Sequence, residues 1–141
     1  QQIYRELAAM QKKGWISPLE NEKDAGRKKT YQVEPRGRVE LAEWMVKQSP
    51  PAQLREELMV RLRAEAQLGG NGVVPELMRH LQLHQNNLKT YQVIYDKDFK
   101  HSDDSDRTLY IHKMVLQLGI ELEMGWITWL ERVIPQLKKF E

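Results

Sequence analysis

The first thirteen residues carry apolar side chains at the period of a helix. Ile3, Leu7 and Met10 recur at steps of four and three, which places them on one helical face. Two lysines and a glycine at positions 12–14 suit the negative end and the C-cap of such a helix. The pattern therefore predicts a short amphipathic helix with a polar front, formed by Gln1, Gln2, Tyr4 and Arg5.

Two short runs of strand-forming residues follow this helix. Residues 15–20 are extended in character, and residues 30–33 alternate between polar and apolar side chains. Residues 21–29 between them are polar and contain glycine, as the tip of a hairpin usually does. The sequence therefore predicts a β-hairpin directly after the first helix.

The chain then returns to helix, and a pair of prolines marks a boundary. Pro35 suits the first turn of a helix, and Ser49-Pro50-Pro51 ends that helix. We therefore predict two domains, residues 1–49 and residues 50–141.

Three longer helices are predicted in the second domain, over about residues 52–68, 74–97 and 104–139. The middle one has apolar residues at alternating steps of three and four, which is typical of long antiparallel or dimeric helix pairs. The expected fold is mainly α, with long helices and one small β-hairpin.

The last predicted helix is apolar on two faces. The first face holds Leu109, Leu116, Ile120, Ile127, Leu130, Ile134 and Leu137. The second face holds Ile111, Val115, Leu118, Leu122, Trp126, Trp129 and Val133. Because each apolar face needs cover, we expect a second copy of the chain to supply part of it. We predict that the following residues contribute to dimerisation: Leu109, Leu116, Ile120, Trp126, Ile127, Leu130 and Ile134.

Composition and charge narrow the function classes. The 141 residues include no cysteine, which excludes disulfides, thiol catalysis and thiolate metal sites and fits a reducing cytoplasm. No apolar run reaches the length of a membrane span, so no membrane partner is expected. The net charge is +2, but residues 1–49 carry ten basic and seven acidic residues and are therefore +3.

The order helix, strand, basic tip, strand is that of the second half of a winged helix-turn-helix. In such folds the helix reads base edges and the hairpin, or wing, contacts the DNA backbone. Arginine pairs well with guanine and glutamine with adenine. The predicted DNA-binding residues are Gln1, Gln2, Tyr4, Arg5, Arg27, Lys28 and Lys29. The alternatives are that Tyr4 packs inward, that Arg5 pairs with an acid, and that the basic tip is a solvated turn.

Other side chains have both a functional and a structural interpretation. Five aromatic residues would line a pocket for a planar effector or, more simply, pack in the core: Tyr91, Tyr95, Tyr110, Trp126 and Trp129. His80 and His84, four apart and one turn after Glu76, have a spacing that binds metals, but a place in the helix seam is the simpler interpretation and no metal site is predicted. No catalytic constellation is present, so we expect neither an enzyme nor a cofactor.

The motifs of the first domain resemble those of the PadR family of bacterial transcriptional regulators. The matching segments are Gln2-Ile3-Tyr4-Arg5-Glu6-Leu7, Lys13-Gly14-Trp15-Ile16, Gly26-Arg27-Lys28-Lys29-Thr30-Tyr31 and Gly37-Arg38, with Leu41 and Trp44. The second domain is similar to the long helical domain of the branch that includes the virulence activator AphA. The similarity there lies in the helix around Leu58–Leu62 and in Trp126-Ile127-Thr128-Trp129-Leu130.

This resemblance implies a partial winged helix-turn-helix joined to a helical dimerisation domain. Such proteins bind operator DNA as homodimers, usually as repressors, and some release it on binding a small aromatic molecule. On this analogy Gln2, Tyr4 and Arg5 lie on the recognition helix, and Arg27, Lys28 and Lys29 on the wing. An alternative is a helical ligand-sensing or protein-interaction module without its own DNA function.

The sequence departs from the family pattern at three points. Lys28 stands where the wing often has proline, and Glu34-Pro35 replaces the usual threonine before the next helix. The family also has two or three helices before the recognition helix, and this sequence starts without them. We therefore expect residues 1–141 to dimerise but to bind DNA poorly by themselves.

Overall fold

A computed structural model of the chain describes residues 2–19, 29–53, 56–70, 72–103 and 105–140. The chain forms two compact units, Gln1–Gln53 and Leu54–Glu141, so the division follows residue 53 rather than residue 49. The elements are α1 (Gln2–Lys12), β1 (Ile16–Pro18), β2 (Tyr31–Val33), α2 (Pro35–Met45), α3 (Glu57–Leu68), α4 (Val74–Asp98), α5 (Arg107–Leu137) and a 3₁₀ turn (Lys138–Phe140).

The first unit is built from α1, the hairpin and α2. β1 and β2 pair antiparallel, with Ile16 opposite Val33 and Pro18 opposite Tyr31. The predicted mainly α fold with one small hairpin is confirmed. Gly37 is the one fully buried residue that the structure describes in this unit.

The second unit is organised by the antiparallel pair α4 and α5. His84 of α4 contacts Glu123 of α5, whereas Tyr91, two turns later on α4, faces Gly119, one turn earlier on α5. None of the described helices is both long and apolar enough to cross a lipid bilayer.

The core of the second unit lies at the end of this pair where α4 begins. Leu58 of α3, Leu77 of α4 and Leu130 of α5 are almost completely buried there. Burying each of these leucines stabilises the fold by about 1.5–3 kcal/mol. The core is completed by Val73, Val74 and Ile134.

Two predicted helix starts were too early. α3 begins at Glu57 rather than at residue 52, because Pro50 and Pro51 favour extended backbone and Ala52 is not helical. α5 begins at Arg107 rather than at residue 104, because Asp106 is the N-cap. Its carboxylate accepts hydrogen bonds from the backbone N–H groups of the second and third helical residues, at 2.8 and 3.2 Å.

Candidate nucleic-acid interface

The C-terminal end of α1 is closed by a Schellman motif. Gly14 has a φ of +69°, its N–H donates to the Gln11 carbonyl at 2.9 Å, and the Trp15 N–H donates to the Met10 carbonyl at 3.0 Å. Glycine suits this position because L side chains are strained at such a φ. The motif turns the chain directly into β1, so the hairpin follows the helix after only three residues.

The polar front of α1 is open to solvent. The Tyr4 side chain is 73 % exposed, so the alternative in which it packs inward is wrong. Gln2 and Arg5 are also exposed, and Arg5 forms no ion pair within the described part of the chain. Gln1 lies outside the described residues. Three of the four predicted side chains therefore share one accessible helix.

The apolar face of α1 is less covered than its pattern predicts. Ile3 and Met10 are exposed among the described residues, and only Leu7 is half-buried. On α2, Trp44 and Met45 are likewise exposed. The first unit therefore presents apolar as well as polar side chains at its surface.

Side-chain hydrogen bonds tie the base of the hairpin to the start of α2. The Ser17 hydroxyl donates a hydrogen bond to the carboxylate of Glu34, and Glu34 is the residue just before α2. The Gln32 amide donates to both, at 3.1 Å to Ser17 and 3.2 Å to Glu34. These hydrogen bonds therefore link both strands of the hairpin to the residue at which α2 begins.

The basic side chains of the predicted wing are described only at its base. Lys29 is exposed next to β2, whereas Arg27 and Lys28 lie outside the described residues. Lys13 stands with its ammonium 4.3 Å from the centre of the Trp15 ring, which places a further positive charge at the end of α1. Positive charge therefore flanks the junction between helix and hairpin.

In the second unit, α5 presents its two apolar faces to different surroundings. The first face packs on α4 of the same chain and enters the core. The second face is exposed along the N-terminal half of α5. We call this exposed stripe the outer face of α5; it comprises Ile111, Val115, Leu118 and Leu122.

This arrangement corrects the predicted dimerisation residues. Leu130 and Ile134 are 0 % and 7 % exposed in the chain's own core, so they offer no surface to a second copy. Leu116, Ile120, Trp126 and Ile127 are half-buried, and Leu109 is exposed. Six of the seven predicted residues lie on the first face, which packs on α4 of the same chain, and Trp126 lies on the second face. The steps of four, three and four along the outer face were the signal for the uncovered stripe.

A polar layer interrupts the seam between α4 and α5. His84 Nδ1 lies 2.5 Å from Glu123 Oε2, and the Asn87 amide donates to the other Glu123 oxygen at 3.2 Å. The His84 ring also stacks on Trp126, with ring centres 5.3 Å apart. His84 is therefore a seam residue, and in the described ranges no three histidine, aspartate or glutamate side chains converge to hold a metal ion.

His80 lies one turn earlier and faces a different carboxylate. Its Nε2 is 3.3 Å from Glu76, which also accepts two hydrogen bonds from the Arg79 guanidinium at 2.8 Å. The hydrogen bonding to Arg79 lowers the pKa of Glu76 to about 2. The start of α4 therefore carries a carboxylate that stays ionised at moderately acid pH.

The five predicted pocket aromatics do not converge on one cavity. Trp126 stacks on His84 and meets Trp129 edge to face, and Trp129 packs against the core. Tyr95 lies eleven residues beyond His84 on α4, roughly 16 Å along the helix. Tyr95 therefore lies apart from the stack of His84 and Trp126. Tyr95 lines a shallow groove with Gln92, Asp96, Gln117 and Ile120.

Comparison with known proteins identifies the second unit. Residues 54–138 match the family described as virulence activator alpha C-term. The negative transcriptional regulator PadR of Bacillus subtilis is 25 % identical over 144 residues, which cover 98 % of this chain and 78 % of that protein.

Solved structures give the same picture for the whole fold. The Vibrio cholerae virulence activator AphA matches with a TM-score of 0.78 and 20 % identity, over 99 % of this chain and 78 % of AphA. Bacillus subtilis PadR in complex with operator DNA matches with a TM-score of 0.73 and 24 % identity, over 96 % and 78 % of the two chains. The complex of Bacillus subtilis PadR with p-coumaric acid matches with a TM-score of 0.71 and 24 % identity, over 97 % of this chain and 77 % of that chain.

The fold is that of a winged-helix transcriptional regulator with a long helical second unit. Because the family match covers more than half of the chain, the protein belongs to the virulence activator alpha C-term family, and it is similar to PadR-like transcriptional regulators.

Proposed function

We propose that this protein binds operator DNA as a homodimer and represses transcription in the bacterial cytoplasm, where that DNA lies. The observation that carries the proposal is that the polar face of α1 is exposed to solvent and is followed directly by a hairpin with a lysine beside its second strand. Tyr4 and Arg5 on α1 and Lys29 beside β2 are all exposed. A helix and a hairpin arranged in this order suit simultaneous contact with base edges and with the phosphate backbone.

Side-chain chemistry indicates which residues contact bases and which contact phosphates. The Arg5 guanidinium can donate two hydrogen bonds to guanine. The Gln2 amide can both donate to and accept from adenine. Lys29 is a flexible point charge that suits a phosphate group. Arg27 and Lys28 remain predicted phosphate contacts from their place in the sequence. The Bacillus subtilis relative is a negative transcriptional regulator, which supports repression rather than activation.

The outer face of α5 is the surface that we propose for dimerisation. Its four side chains are between 40 % and 69 % exposed, and they extend over about 17 Å of helix at 1.5 Å per residue. A continuous apolar stripe of this kind is costly to leave in water and suits the self-complementary contact of a two-fold dimer.

A small aromatic effector is a further part of the proposal. The complex of Bacillus subtilis PadR with p-coumaric acid supports it. The groove beside Tyr95 offers a ring, two amides and a carboxylate, which suit a phenolic ligand. Calorimetric titration of the protein with p-coumaric acid tests this part separately, and Tyr95→Ala should abolish any heat of binding that arises in this groove.

A competition gel shift tests the DNA-binding proposal. The full-length protein is mixed with DNA from upstream of its own gene, and the same duplex or a scrambled duplex of equal composition is added as competitor. We expect the specific competitor to displace the labelled DNA at a lower concentration than the scrambled one. Equal competition, or no shifted complex, would favour the alternative of a helical sensing or interaction module.

A further inference from the structure

Trp15 is the point at which α1, the hairpin and α2 meet. Its backbone N–H closes α1 by donating to the Met10 carbonyl at 3.0 Å. Its carbonyl accepts a hydrogen bond from the Glu34 N–H at 2.9 Å, and Glu34 is the N-cap of α2. The two peptide groups that flank Trp15 therefore connect α1, which precedes the hairpin, to α2, which follows it.

Gly37, in the first turn of α2, packs directly against this junction. A Cβ atom added at Gly37 would lie 2.2 Å from the Trp15 carbonyl oxygen, 2.9 Å from its carbonyl carbon and 3.1 Å from its Cα. All three atoms belong to the backbone, which cannot rotate out of the way as a side chain does. Any side chain at this position therefore forces α2 away from Trp15.

Gly37 lies in the first turn of α2 and does not have a positive φ, so the close approach to Trp15 is what requires glycine at this position. Gly72, just before α4, provides a contrast, because a Cβ there would meet nothing closer than a Glu65 carboxylate oxygen at 3.9 Å. The same substitution is therefore tolerated sterically at residue 72 and excluded at residue 37.

We propose that Gly37 is a positioning residue for DNA binding, because its lack of a side chain seats α2 on Trp15 and so fixes α1 and the hairpin relative to each other. This inference rests on the proposed function. Side chains on α1 and Lys29 at the hairpin must reach the same duplex together, and two linked contacts reinforce each other only if their geometry permits both at once. A wedge at Gly37 separates the two contacts without removing either side chain.

A double-mutant cycle on the full-length protein tests the proposal. DNA affinity for the upstream duplex is measured over a salt series for the wild type, Gly37→Ala, Lys29→Ala, the double variant, and Gly72→Ala as the matched control. In the wild-type background, Lys29→Ala should make the slope of log affinity against log salt shallower by about one. Gly37→Ala alone should lower the affinity and make the slope shallower by a similar amount. Adding Lys29→Ala to Gly37→Ala should then change neither quantity further. Gly72→Ala should leave affinity and slope unchanged.

Two results would overturn the inference and one would overturn the proposed function instead. Wild-type affinity in Gly37→Ala, or a Lys29 effect of equal size in both backgrounds, rules out positioning by Gly37. Failure of the wild type to bind DNA rules out the proposed function. Should Gly37→Ala not fold, Glu34→Pro replaces it in the same cycle, with Glu34→Ala as its control. The Glu34 φ of −76° and ψ of 159° suit proline, which removes the N–H that donates to Trp15 together with the carboxylate that accepts from Ser17 and Gln32. Glu34→Ala removes the carboxylate alone, so the difference between the two variants reports the bond to Trp15.

Discussion

His84 Nδ1 lies 2.5 Å from Glu123 Oε2 and joins α4 to α5 midway along their seam. On one side of this contact lies the leucine core, and on the other Tyr91 packs against Gly119. A polar layer in a helix pair costs some stability but specifies register. A slip of one heptad would place the Glu123 carboxylate opposite Leu77 or Tyr91, where its present hydrogen bonds are lost.

Removal of the Glu123 carboxylate should destabilise the second unit. Glu123→Ala leaves His84 and Asn87 without their shared acceptor, so the free energy of unfolding in urea should fall by about 1–3 kcal/mol. Glu121→Ala, an exposed neighbour on α5, is the control and should change it by less than about 0.5 kcal/mol. Because the two residues share one contact, His84→Ala should cost less in the Glu123→Ala background. Strictly additive losses would show that the contact contributes nothing.

Glu76 should make stability depend on pH at acid values. Its pKa in the folded chain is about 2, below the ordinary value of 4.5, because Arg79 donates hydrogen bonds to the carboxylate. A lowered pKa stabilises the fold above pH 4.5, and that contribution is lost as the pH falls towards 2. In urea denaturation between pH 6 and pH 2.5, the wild type should therefore lose more stability than Glu76→Gln. Parallel curves for the two proteins would refute this assignment.

The hairpin was predictable from sequence because its signals are local. Strand formers, a polar tip with glycine and a proline at the next helix start each depend on a few neighbouring residues. The exposed front of α1 followed in the same way, from the polar positions left over by one apolar face. The helix starts failed by a few residues because Asp106 and the Pro50-Pro51 pair, rather than the apolar period, decide them.

The contacts between helices were less accessible to prediction. Sequence period shows that α5 has two apolar faces, but it does not show which of them α4 covers. Leu130 was therefore assigned to the dimer although it is buried within the chain. The pairing of His84 with Glu123 and the approach of Gly37 to Trp15 join residues distant in sequence, so neither pattern nor spacing predicts them.

Charges on the outer face of α5 should abolish dimerisation. Leu118 and Leu122 are each 58 % exposed, so Leu118→Glu with Leu122→Glu should leave the single chain folded. In a dimer through this face, however, the new carboxylates would be buried without partners. By sedimentation velocity at micromolar concentration, the wild type should be a dimer and the double variant a monomer with unchanged helix content.

The matched control for this experiment lies on the other long helix. Val93 of α4 is 60 % exposed, so Val93→Glu adds a similar charge at a similar exposure on a different helix. This variant should remain dimeric. A monomeric wild type, or a dimer that survives both glutamates, would exclude the outer face of α5 as the interface.

The central claim is that α1 reads bases while the hairpin contacts phosphates, and fluorescence anisotropy on two duplexes tests it most directly. The full-length wild type, Arg5→Ala and Lys29→Ala are titrated with the upstream duplex and a scrambled duplex over a salt series. Arg5→Ala should weaken binding to the upstream duplex by about 1–3 kcal/mol and reduce the preference over the scrambled one. Lys29→Ala should weaken both complexes alike and make the salt slope shallower by about one. Equal binding of both duplexes by the wild type, or unchanged binding in both variants, would contradict the account.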